Sequence, residues 1–147
     1  MEDAVAEPQD GRQRIPPLSR FEEEAQFTRA IRVGDRIIVA GNVATGETAG
    51  EQATRCFEQI VDYIQQLGGQ SGDVVRVRMF VTDMADGDAV SAAFSKFLKP
   101  TRPCGTLVQI VALYGPQFKV EIEADAVIGS AGAFPATGAE GRAQPQR

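Results

Sequence analysis

Residues 119–127 alternate without interruption: Val120, Ile122, Ala124 and Ala126 are apolar, and Glu121, Glu123 and Asp125 stand between them. A period of two predicts a β-strand with one packed face and one face carrying three carboxylates. The same period runs through residues 74–81, with Val75, Val77, Met79 and Val81 on one face and Arg76, Arg78 and Phe80 on the other. Residues 27–33 and 36–43 are β-prone runs joined by Gly34-Asp35, a spacing that suits a two-residue hairpin. Residues 106–113 and 118–127 are the last two strands, parted by Tyr114-Gly115-Pro116-Gln117, which carries turn chemistry. From about Glu51 the period changes to three and four. Ala53, Cys56, Phe57, Ile60, Val61, Ile64 and Leu67 then share one helical face, and Gly68-Gly69 ends the run. A second helix is marked by Val90, Ala93, Phe94, Phe97 and Leu98, with acidic cap candidates from Asp83 to Asp88 and Pro100 as its stop.

The predicted order is ββαβαββ, an α+β layer of one mixed sheet with both helices on one face. Residues 1–20 hold Pro8, Pro16 and Pro17 among scattered charges, and residues 129–147 are rich in Gly, Ala and polar side chains. Both ends read as flexible tails around a domain spanning residues 21–128. The helix-free face would expose arginines, carboxylates and apolar residues together, and packing it against copies of the chain removes that mixed surface from water.

The chain has 147 residues, enough for one modest core, and a formal net charge of -5. Nucleic-acid binding is disfavoured, because its twelve arginines and three lysines are spread among acids rather than gathered into a basic stripe. No apolar run approaches bilayer length and the N-terminus is acidic, so the expectation is a cytoplasmic protein without membrane attachment. Cys56 and Cys104 lack paired spacing, which predicts reduced thiols and neither a disulfide framework nor a zinc site. Histidine is absent. Imidazole bases, Ser-His-Asp and Cys-His catalysis and His-ligated metals are therefore excluded on this chain.

The acid-row strand, the segment from Arg102 to Ile110, Phe80-Val81-Thr82-Asp83 and Val39-Ala40-Gly41-Asn42 together resemble the RidA/YjgF family, over roughly residues 27–128. The resemblance implies a chorismate mutase-like, YjgF-like fold, a homotrimer with a central barrel, and clefts between subunits in which many members hydrolyse reactive imines and enamines. It implies a small-molecule ligand, no cofactor and no metal. Carried over by position, Gly41 permits close backbone approach to a ligand, Phe27 takes the place of a common tyrosine, Ser91 falls where some members have an asparagine, and Glu121 matches the carboxylate proposed to position the attacking water.

One departure stands out. Family deaminases carry an arginine three residues before a Val-Glu-Val; equating that triplet with Val108-Gln109-Ile110 puts Gly105 in the arginine's place. A guanidinium there grips a substrate carboxylate through a planar fork. Its loss predicts a larger, uncharged pocket and a substrate unlike simple imino acids. Thr106 would then offer a hydroxyl, the backbone N–H groups from Gly105 to Leu107 an oxyanion site, and Arg102 reaches the rim only if the chain bends at Pro103.

Each of these residues also has a structural reading. Glu121 and Glu123 can pair with Arg76 and Arg78 as a charge ladder across strands. Cys104 reads as a small packed residue, Thr106 and Ser91 as passive, Gly41 as a turn or bulge glycine, and Phe27 as part core, part cleft wall. The leading function is an enzyme adding water to C=N or moving a proton at an enamine. The alternatives are a metabolite-binding module of the same fold, a chaperone-like protein, or a ribonuclease, the last disfavoured by the acidity.

Overall fold

The computed structural model describes residues 10–132. Six strands form one sheet: β1 (Arg12–Arg14), β2 (Ala30–Val33), β3 (Arg36–Asn42), β4 (Val74–Val81), β5 (Cys104–Gln109) and β6 (Val120–Val127), in the spatial order β1-β2-β3-β6-β4-β5. All pairings are antiparallel except β4 with β5, whose parallel register requires the crossover through a helix. The helices are α1 (Arg20–Ala25), α2 (Ala49–Gln66) and α3 (Gly87–Leu98). The two long helices cover one face, so the expected α+β sheet with a helical layer is present.

Each long element follows from its pattern. α2 buries Ala53, Cys56, Phe57, Ile60 and Ile64, and its first turn is closed by Thr48, whose side chain accepts from the Glu51 N–H at 3.2 Å. Such a cap contributes about 1 kcal/mol. β6 buries Val120, Ile122, Ala124 and Ala126 beneath the helices and turns its three acids to the other face. With Ile37, Val39, Val77 and Val81 these residues make the single core.

Besides the added α1 and a β5 that ends at Gln109 rather than at Leu113, three features depart from the pattern. The segment expected as tail up to residue 20 is built into the sheet from Arg12: β1 pairs with β2, and Ile15 is buried with its N–H on the Ala30 carbonyl at 3.1 Å. At the other end of the domain Gly129 and Ala131 donate to the buried Asp73 carboxylate at 3.1 and 3.4 Å, which ties residues beyond 128 to the body. The remaining tail residues, 1–9 and 133–147, lie outside the described residues. Finally, Val75 is exposed rather than packed, because the β4–β6 ladder shifts register between Val74 and Arg76 and Val74 takes the core position.

Candidate functional site

The β3–β6 ladder pairs Val39 with Ala124 and Asn42 with Ile122. Ala40 and Gly41 thus oppose the single residue Glu123, a bulge at the end of β3. Asn42, itself buried, ties the bulge by donating from Nδ2 to the Ala40 carbonyl at 2.7 Å. At this bulge the Glu121 side chain lies against bare backbone. A Cβ on Gly41 would stand 2.8 Å from Glu121 Cδ and 3.0 Å from its Cγ, so glycine is what leaves room for the carboxyl group.

The acids of β6 differ sharply. Glu123 accepts from Arg78 Nη1 at 2.9 Å, and Asp125 stands opposite Arg76 in register. Glu121 stands opposite Phe80 and has no ion pair among the described residues. The expected charge ladder therefore holds for Glu123 and not for Glu121. Burial pushes the Glu121 carboxyl above the ordinary glutamate range, and the neighbouring Glu123 charge raises it further. A carboxyl group held this way takes up a proton near neutrality more readily than a solvated one, as a general base or acid requires. Cys56, behind the bulge, donates its thiol to the Asn42 carbonyl at 3.3 Å, and burial first, then the Glu121 charge, pushes it up to about 12. It is a structural thiol, not a nucleophile.

Phe27 joins Glu121 and Gly41 at this end of the sheet. The Ala40 N–H donates to the Arg29 carbonyl at 2.8 Å, so the chain just before β2 runs beside the bulge. Phe27 lies outside β2, which begins only at Ala30.

The β5 residues are elsewhere. Cys104, Thr106 and Val108 pair with Arg76, Arg78 and Phe80 and share their outward face, whereas Gly105 and Leu107 face the helices. A Cβ on Gly105 would meet the Phe94 ring at 3.5 Å, and Leu107 packs against the core. Gly105 therefore does not open a pocket on the Glu121 face: a side chain there would point into α3. Arg102 is exposed just before β5 with φ 48, a left-handed conformation in a residue that precedes a proline. Together with Val75, Cys104, Ser130 and Ala131 it lines an open cavity of about 530 Å³. β6 runs against β4 and β5, so Cys104 lies two strands across and four residues down from Glu121. This is roughly 16 Å of backbone separation. Ser91 is exposed on α3, on the helical side of the sheet. Within one chain Glu121 and Gly41 meet, and the segment that carries Phe27 lies at the same end of the sheet, while Arg102, Thr106 and Ser91 do not reach them.

Sequence reasoning missed two supports of the converged end. Gln52 is buried and makes three bonds: Nε2 donates to the Gly46 and Gln117 carbonyls, each at 3.0 Å, and Oε1 accepts from the Lys119 N–H at 2.8 Å. It pins the root of the β5–β6 loop next to Glu121. Glu22 of α1, also buried, pairs with Arg29 and accepts from the Leu18 N–H at 2.7 Å. A polar residue at an apolar helical position was the available signal for Gln52; α1 is too short and too charged to show one.

Residues 18–128 match the family model described as Endoribonuclease L-PSP. A solved structure from Mycobacterium tuberculosis, described as a member of the YjgF/YER057c/UK114 family, superposes with a TM-score of 0.78 at 32% identity, covering 80% of this chain and 99% of that one. The chain belongs to the RidA/YjgF family. An uncharacterized protein from Streptomyces coelicolor is 32% identical over 124 residues, which are 80% of this chain and 92% of that protein. The 2-iminobutanoate/2-iminopropanoate deaminase of Escherichia coli is 27% identical over 111 residues, covering 69% of this chain and 86% of that enzyme. Among the described residues no helix is long and apolar enough to cross a membrane, and no cluster of His, Cys, Asp or Glu is arranged to hold a metal ion.

Proposed function

We propose that this RidA/YjgF protein hydrolyses 2-imino acids in a cleft completed by a second copy of the chain, within a homotrimer. The observation that carries the reading is the half-buried, unpaired Glu121 carboxyl group lying on the bare backbone of Gly41. Water held by the ionised Glu121 adds to the imine carbon, and Glu121 accepts the proton that water loses. Glu121 hands that proton to the nitrogen, then takes the proton of the resulting hydroxyl and passes it to the nitrogen as well, so that the C–N bond breaks, ammonia leaves as the carbonyl forms, and Glu121 is again ionised. No oxidant or metal is needed.

Arg102 of a neighbouring copy is the proposed grip for the substrate carboxylate. In an apolar-acidic-apolar triplet on a half-buried strand the outer two residues face the core. Gly105 and Leu107 do so and Val108 does not, which supports reading Gly105-Thr106-Leu107 as the triplet, with Arg102 three residues before it. Its left-handed φ fits a side chain aimed by its backbone toward a partner. The separation of Arg102 from Glu121 within one chain supports a shared cleft, with Thr106 and the β5 backbone contributed by the same copy as Arg102.

The test is ammonia release from an imine generated in situ by an amino-acid oxidase, using Glu121→Gln, Arg102→Ala and co-assembled mixtures of the two variants. Each variant alone is expected to lose about a hundredfold or more of its kcat/KM, and random mixing restores about one quarter of the wild-type clefts if two copies build each site. No recovery on mixing, with both variants assembled normally, would falsify the shared cleft.

A further inference from the structure

Three large rings extend outward from the Glu121 end of the sheet. Phe27 and Phe21 meet edge to face with centroids 5.6 Å apart, and Phe21 meets Tyr114 at 5.2 Å. All three remain accessible, at 37%, 46% and 91% for Phe27, Phe21 and Tyr114. Exposed aromatic surface gathered in one place calls for an occupant.

The rings are held in place. α1 is clamped by the Glu22–Arg29 ion pair, and the Phe27 N–H returns to the Glu22 carbonyl at 3.2 Å. Tyr114 belongs to the β5–β6 loop, whose two roots are fixed by the Ile110 N–H on the Val81 carbonyl at 2.8 Å and by the bonds of Gln52. β2 lies beyond β3 from β6, roughly 10 Å away. To touch Phe21, which sits ahead of β2, the loop must cross the end of β3, where Gly41 and Glu121 meet. The rings thus lie at the same end of the sheet as the carboxyl group, from the segment before β2 across to the loop.

We infer that Phe21, Phe27 and Tyr114 form the subsite for the substrate's side chain, so that the protein prefers imino acids bearing aromatic or large apolar groups over the alanine-derived imine. The inference rests on the imine-hydrolase reading and adds the substrate class to it. A flat or bulky group packs on the accessible ring faces and shields Glu121 from bulk water, whereas a methyl group reaches none of them.

An amino-acid oxidase supplied with phenylalanine or alanine generates the two imines, and kcat/KM for each is compared in the wild type, Phe21→Ala, Tyr114→Ala and the control Val111→Ser, a fully exposed position on the same loop. The expected wild-type preference for the phenylalanine-derived imine is roughly tenfold or more. Phe21→Ala and Tyr114→Ala should lower it to within about threefold, and Val111→Ser should keep it. A preference near one, or one that survives both ring variants, overturns the proposal. If neither imine is accelerated, the hydrolase reading fails, and calorimetry with the stable carbonyl products decides the subsite. Phenylpyruvate binding about tenfold tighter than pyruvate, with the difference lost in Tyr114→Ala, supports it. Equal or absent binding sinks it. Light scattering on the same variants reads the remaining outcome: a changed assembly size with an unchanged preference assigns the rings to contact between copies and overturns the subsite.

Discussion

The two ends of the sheet are built alike and do opposite things. Where β3 stops and β6 begins, a bulge lays the unpaired acid Glu121 on Gly41, and the buried Gln52 pins the adjoining loop. Where β4 and β5 begin, the cation Arg102 stands exposed beside an open cavity, and the buried Asp73 pins residues 129–131 next to it. Both ends use one buried polar side chain to hold a loop through backbone N–H or carbonyl groups. They differ in the charge they present. Because β6 runs against β4 and β5, the acid and the cation cannot meet in one chain, and a substrate needing both requires two copies.

Breaking the acidic end should have the largest effect. Glu121→Gln is expected to lower kcat by about 10²- to 10⁴-fold in the ammonia-release assay while leaving the circular dichroism spectrum unchanged. At the cationic end, Arg102→Ala should raise KM for an imino acid about a hundredfold through the lost charge-assisted bonds, with a smaller change in kcat. An unaltered KM would remove Arg102 from the carboxylate grip. Gln52→Leu leaves three backbone groups without their partner and is expected to cost about 3 kcal/mol in urea unfolding, against about 2 kcal/mol for Asp73→Ala. Equal loss of activity in these two variants would argue that the ends contribute to turnover only through stability.

Titration sharpens the contrast further. Glu121 must be ionised to act as a base, so turnover should fall on the acid side at a pH above the ordinary glutamate value. Glu123→Gln removes a like charge and should move that limb to lower pH. For stability the sign is opposite to that of Glu22. The raised Glu121 makes folding less favourable at neutral pH, and this penalty is relieved as pH falls through its raised value. For Glu22, burial alone would push the carboxyl up, but the Arg29 and Leu18 bonds outweigh it and hold the group below its usual range. Its contribution is complete above about 4.3, the ordinary glutamate value, and disappears as pH drops through the lower folded value. Urea midpoints of wild type and Glu22→Gln between pH 3 and 7 should converge at the acid end; parallel curves would show that the Glu22–Arg29 pair adds nothing to folding.

Much of the domain was legible along the chain. Alternation located β4 and β6, a β-prone run beside Gly34-Asp35 located β3, the helical period located α2 and α3, and the family resemblance pointed to Gly41 and Glu121, which the structure brings together. β1 was invisible because Arg12-Gln13-Arg14 has no apolar alternation; it is a short edge strand held by pairing alone. α1 was missed because Arg20-Phe21-Glu22-Glu23-Glu24-Ala25 is shorter than two turns and its buried residue is an acid. Gly105 was misread because a strand slipped by one residue exchanges its two faces, and only the pairing with β4 sets that parity.

What the residues determined unaided is local: the period of each segment, the row of acids on β6, and, through the lack of histidine, the exclusion of imidazole chemistry. Which acid is paired, which face a residue takes and where the β5–β6 loop passes were decided only in three dimensions. Register, bulges and loop paths depend on hydrogen bonds between segments far apart in the chain, and no short window of sequence contains both partners.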